Sequence, residues 1–119
     1  MTRQQLEDYI NALPNTKLEF PFGEDVAVYK TKVKDEYKMY ALIPEKKQPL
    51  QVSLKCDPQL ASVLRDRYES VMEGYHLNKR HWNTMVLSGQ LTDQEVLDLV
   101  LHSYNLVIGN TDAIPHVAR

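Results

Sequence analysis

Near the start of the chain, Leu6, Tyr9, Ile10 and Leu13 fall at the i, i+3, i+4 and i+7 spacing of one helical face. Thr2, followed three residues later by Gln5, is a capping-box pair in which each side chain reaches the other's backbone N–H. A first amphipathic helix is predicted, ended by Pro14 and Asn15. Residues 18–23 cannot form a central strand, because Pro21 has no N–H to donate; they read as an edge segment whose Phe20 and Phe22 pin the chain to the core. Residues 26–33 are rich in β-branched side chains, and residues 37–43 follow after Lys34-Asp35-Glu36, which predicts a hairpin with a charged tip. Alternation puts Lys30 and Lys32 on the face shared with Val26 and Val28.

After a polar loop between two prolines at residues 44–49, Leu50, Val52 and Leu54 alternate with Gln51, Ser53 and Lys55, the clearest half-buried strand in the chain. Asp57-Pro58 is a helix start, the carboxylate accepting free N–H groups while proline needs none at the first position. Leu60, Ala61, Leu64, Tyr68 and Val71 then face inward from a second helix, with Arg65, Asp66 and Glu69 outward and Gly74 closing the region. Residues 83–88 read as a strand turned by Gly89. Thr92 and Glu95 form a second capping box, opening a helix through Ile108 that Gly109 terminates. Its apolar positions, from Val96 and Leu99 to Tyr104 and Val107, cover more than one face. That width suits either a deeply packed helix or one that also meets a partner subunit. The result is one domain over residues 1–109 and a tail at 110–119.

At 119 residues, 43% apolar and 25% charged, the chain is long enough for one core and too short for two. No apolar run approaches the roughly 20 residues of a membrane span, and no secretory pattern opens the sequence. Cys56 is the only cysteine, which leaves no internal disulfide to form, and a cytoplasmic location is expected. Net charge is −2, yet residues 30–55 carry seven lysines against three acids, so overall neutrality is compatible with one basic face.

Chemistry concentrates in residues 75–87, which hold two histidines, Trp82, two asparagines and the Lys79-Arg80 pair. His76 and His81 are five apart, neither zincin spacing nor part of a Cys-x-x-Cys array, so no metal or other cofactor is expected. Cys56 with a histidine would make a nucleophile pair, but a lone cysteine at a strand end reads better as a small buried hydrophobe. No phosphate-cradling glycine loop occurs, and the chain reads as non-enzymatic. Two readings of the focal stretch stand side by side. In one, Tyr75 and Trp82 anchor the core and His76, Asn78 and Asn83 satisfy backbone groups. In the other, Lys79 and Arg80 contact phosphate while Asn78, His81 and Asn83 bond base edges or a peptide backbone.

Residues 52–58 (Val-Ser-Leu-Lys-Cys-Asp-Pro), residues 76–82 (His-Leu-Asn-Lys-Arg-His-Trp), residues 87–91 and Ser103-Tyr104 together resemble the YjbR/MmcQ family. Phe20-Pro-Phe-Gly23 followed by Tyr29-Lys30 fits the same pattern, so the likeness runs through most of the chain. It implies an α+β fold: a two-layer α/β sandwich, its antiparallel sheet covered by helices on one face, in the order α-β3-α-β2-α, similar to CyaY, the bacterial frataxin. Members are commonly described as DNA-binding. On that implication Lys55, His76, Asn78, Lys79, His81 and Trp82 match the family pattern, and Lys30, Lys32 and Arg80 join them as phosphate contacts. Frataxin-type iron binding does not carry over, because the first helix offers only Glu7 and Asp8 as neighbouring acids. The expected partners are DNA or, alternatively, a protein partner or a homodimer through the last helix, with no membrane. A small-ligand pocket around His76 and His81 is a third option.

Overall fold

The computed structural model describes residues 1–74, 77–110 and 115. Helix α1 (Arg3–Ala12) carries the Thr2/Gln5 capping box, and its Leu6 and Ile10, one turn apart, are buried. The chain turns at Asn15, held at φ 59°, into β1 (Thr16–Glu19). Strands β2 (Val26–Val33) and β3 (Glu36–Pro44) form the hairpin, with Lys34 and Asp35 at its tip. Strand β4 (Gln51–Lys55) leads into α2 (Pro58–Arg67), where the Asp57 carboxylate accepts from the N–H groups of Gln59 and Leu60. Strands β5 (Val71–Glu73) and β6 (Trp82–Val86) precede α3 (Asp93–Ile108), which has the Thr92/Glu95 capping box and ends at Gly109 in the left-handed region.

The six strands form one sheet in the order β1-β2-β3-β4-β6-β5, every neighbour antiparallel. Four strands precede α2 where three were expected, because Thr16–Glu19 pairs along β2 as a true edge strand that stops before Pro21. Phe20 and Phe22 do not pin the chain to the core: they are 45% and 63% exposed. The turn closed by the Gly23 N–H on the Phe20 carbonyl, with Gly23 at φ 106°, carries both rings off the end of the sheet. Val71 belongs to β5 instead of α2, since α2 stops at Arg67 and Val71 pairs with Met85; β6 runs 82–86 instead of 83–88.

One cluster joins Leu6 and Ile10 of α1, Leu60, Ala61 and Leu64 of α2, and Val96, Leu99, Val100 and Tyr104 of α3 to Ala27, Tyr29, Ala41, Ile43, Val52, Leu54 and Met85 of the sheet. Strand alternation places these sheet residues on one face, so all three helices lie on that face. Val96, Leu99 and Val107 are buried there, which makes α3 a deeply packed helix and removes these side chains from any dimer through it. The register shifts between Tyr29 and Lys30, leaving Tyr40 as the extra residue of a bulge. Tyr40 is fully buried, its hydroxyl bonded to Thr16 and to the Ile10 carbonyl, its ring edge-on to Tyr104 at 5.3 Å.

Candidate nucleic-acid interface

The opposite, helix-free face has its own small apolar cluster, made by Val28, Leu42 and Trp82 with Val26, Met39 and Leu77 around them. Beside it Ser53 and Thr84, directly opposed on β4 and β6, share a buried 2.7 Å hydroxyl bond. Trp82 is therefore a packing anchor, 7% exposed, as the structural reading of the focal stretch expects. Tyr75 and His76 lie outside the described residues. Gly74 makes the close approach to Trp82 possible: a Cβ there would sit 2.8 Å from the Trp82 Cβ and 3.2 Å from that of Leu77.

Backbone bonds build the connection between β5 and β6. The Asn78 carbonyl accepts from the N–H groups of His81 (3.1 Å) and Trp82 (2.9 Å), and its side-chain oxygen accepts from Arg80 N–H at 3.0 Å. The His81 carbonyl accepts from Cys56 N–H at 2.7 Å, which ties the connection to the end of β4. Arg65 of α2 donates to the Lys79 carbonyl (3.0 Å) and to Oδ1 of fully buried Asn83 (2.7 Å), whose Nδ2 donates to the Ala61 carbonyl. Asn83 is thus scaffold. Arg65, expected to face solvent, instead locks this corner; its bond to a side-chain amide on β6 leaves no local trace in sequence.

Antiparallel pairing brings the C-terminal ends of β2, β4 and β5 together with the starts of β1, β3 and β6. That end of the sheet carries Lys17, Lys32, Lys34, Lys38, Lys55, Lys79 and Arg80, against Asp35, Glu36 and Glu73. The other end carries Glu19, Glu24, Asp25 and Glu45 with Lys46 and Lys47. The chain is electrically lopsided although its net charge is near zero. Lys30 lies mid-strand on the open face, 3.2 Å from Glu19; Lys17 is 3.9 Å from Glu19, and its ammonium stands 5.0 Å over the Tyr37 ring. Lys79 is 3.5 Å from Glu73 with its side chain 72% exposed. The Lys79–Glu73 pair, exposed on both sides, contributes at most about 1 kcal/mol. Asn78, Lys79, Arg80 and Lys32 are exposed, and Lys55 and His81 are half-buried. Lys17 was not among the expected contacts; its signal was its place beside Lys30 on an edge strand, visible only once β1 is paired.

Burial pushes the Cys56 thiol up to about 12, with Asp57 adding to the shift and Arg65 opposing it. It behaves as the buried hydrophobe expected, and a thiolate nucleophile has no support. Two open clefts of about 460 and 540 Å³ are lined by Glu69, Ser70, Val86, Ser88 and Gln90, and by Phe20, Glu24, Asp25, Glu45 and Lys46; neither involves Cys56 or His81. Among the described residues no three His, Cys, Asp or Glu side chains converge as a metal site, and no helix is long and apolar enough to cross a membrane.

A six-stranded antiparallel sheet with three helices on one face and a loop-buttressed, lysine-bearing open face defines a small two-layer α+β domain. The family model described as YjbR matches residues 11–106, and the chain belongs to that family. The uncharacterized protein YjbR of Escherichia coli K12 is 34% identical over 112 residues, spanning 91% of this chain and 88% of the relative. YbdF of Escherichia coli O157:H7, also uncharacterized, is 32% identical over 81% of this chain and 75% of its own. A crystal structure of Deinococcus radiodurans protein DR2400, described as a DUF419 domain, superposes with a TM-score of 0.85 at 34% identity, covering 99% of this chain and 85% of that one. A Pseudomonas syringae protein gives 0.72 at 32% identity over 89% and 98%.

Proposed function

We propose that this domain is a non-enzymatic binding module that takes nucleic acid, DNA first among the candidates, by its phosphate backbone at the basic end of the sheet. The gathering of Lys17, Lys32, Lys34, Lys38, Lys55, Lys79 and Arg80 at that end carries the reading. Lys30, Lys32, Lys55, Lys79 and Arg80 contact phosphate. Asn78 and His81, in the braced connection beside them, are the candidates for base or backbone contacts, and His76 keeps that role only as the family likeness implies it. Trp82 supports the connection from below.

Phosphate neutralisation releases counterions, so affinity falls steeply with salt. Fluorescence anisotropy of a labelled 15-base-pair duplex, titrated from about 50 to 200 mM salt, is expected to lose on the order of tenfold or more in affinity. Lys55→Ala and Lys79→Ala are each expected to shallow the log–log slope by about one. Absence of binding at low salt, or binding indifferent to salt, overturns the proposal. A second reading, contact with protein, is favoured by one observation: Leu18 on β1 and Phe20 and Phe22 in the turn after it are all exposed.

A further inference from the structure

We propose that β1 pairs with β1 of a second copy across a two-fold axis centred on Leu18, joining two sheets into one. The observation behind this is independent of the nucleic-acid reading. Among the described residues strand β1 has a neighbour on one side only, and Leu18 on it and Phe20 just after it are 43% and 45% exposed. A four-residue, charged edge stopped by proline ordinarily repels foreign strands. The same charges, however, are self-complementary in one register.

Directly opposed residues of an antiparallel pair must point to the same face. In β1, Lys17 and Glu19 sit opposite Lys30 and Val28 on the open face, while Leu18 sits opposite Tyr29 on the helix-bearing face. A two-fold perpendicular to the sheet keeps faces matched only if it is centred on a residue. Centred on Lys17 it sets lysine against lysine; centred on Glu19 it sets glutamate against glutamate. Like charges so placed are destabilising. Centred on Leu18 it sets Lys17 of each copy against Glu19 of the other, Leu18 against Leu18, and Phe20 against Thr16. Both ion pairs and the apolar contact form together, and isologous pairing is the commonest way for identical chains to associate.

Sedimentation equilibrium of the full chain tests this directly. The wild type is expected to dimerise reversibly; Lys17→Glu and Glu19→Lys are each expected to raise the dimer Kd on the order of tenfold or more, and the double swap to restore it. A wild type that stays monomeric at millimolar concentration, or a dimer indifferent to the single swaps, overturns the proposal. Register is read separately by oxidation of Leu18→Cys. On the axis its Cα atoms stand about 5 Å apart, within disulfide reach, whereas those of Lys17→Cys stand about 8 Å apart. Cys56, 2% exposed, does not compete. Cross-linking of Leu18→Cys alone is expected; preferential cross-linking of Lys17→Cys contradicts the register.

Discussion

Replacing Ser103 by alanine removes a hydroxyl that bridges β3 and β4 beside the bulge. The Tyr40 bulge displaces the β3 ladder where Lys55 of β4 would otherwise find its partner, and regular pairing is confined to Ala41 with Leu54 and Leu42 with Ser53. The Ser103 hydroxyl, fully buried on α3, fills the gap: it donates to the Tyr40 carbonyl at 2.6 Å and accepts from the Lys55 N–H at 2.9 Å. Alanine leaves a carbonyl and an N–H without partners, each costing about 1–3 kcal/mol when buried; the Lys55 amide is partly exposed, which places the total at roughly 2–4 kcal/mol. With a urea m-value of about 2 kcal/mol/M, the midpoint is expected to fall by roughly 1–2 M. Urea unfolding followed by circular dichroism gives the number, and hydrogen exchange at the Lys55 amide locates it. A loss below about 0.5 kcal/mol with that amide still protected would refute the reasoning, because the strands would then close on each other without the hydroxyl.

Three further outcomes are expected. Gly74→Ala drives a methyl to 2.8 Å from the Trp82 Cβ, and destabilisation of about 1–3 kcal/mol with altered Trp82 fluorescence should follow; unchanged stability and spectrum would show that the connection has slack. Burial lowers the pKa of His102 below its ordinary 6.5, against the opposing pull of Asp57, and its Nε2 accepts the Asp57 N–H at 3.1 Å. The unfolded chain then binds the extra proton first, so this stabilisation is complete above 6.5 and is lost as pH falls through the lower folded-state pKa. Urea midpoints measured from pH 7 toward about pH 5 should drop faster for the wild type than for His102→Gln, and parallel profiles would contradict the assignment. The Cys56 thiol, pushed up to about 12, should react with an aromatic disulfide reagent near pH 8 only as fast as the protein opens; rapid labelling of the native chain contradicts its burial.

Much of the frame is local and was therefore legible in sequence. Both capping boxes, the Asp57-Pro58 start and the Gly109 stop are signals within four residues, and each marks its helix end in the fold. The short strands were harder. Val71 keeps helical spacing from Leu64, and only pairing with Met85 pulls it into β5; Thr16–Glu19 has no apolar alternation and is a strand because β2 lies beside it. Phe20 and Phe22 look like core residues by composition, but Pro21 and Gly23 decide the path of the backbone, and that path leads into solvent. The Lys79-Arg80 pair and Lys55 were visible as charge, whereas their shared end of the sheet is a product of strand order. Arg65 reaches Asn83 across 18 residues of sequence and Ser103 reaches Tyr40 across 63, through side-chain hydrogen bonds that no local pattern encodes.

The central claim is that ligand meets the basic end of the open sheet face, and two-dimensional amide NMR of the labelled chain with a short DNA duplex at low salt tests it most directly. Shifts are expected to gather at Lys32, Lys55 and residues 78–81 and to fade as salt is added. Shifts centred on Phe20, Glu24 and Glu45 at the acidic end, or no shifts at all, would contradict it.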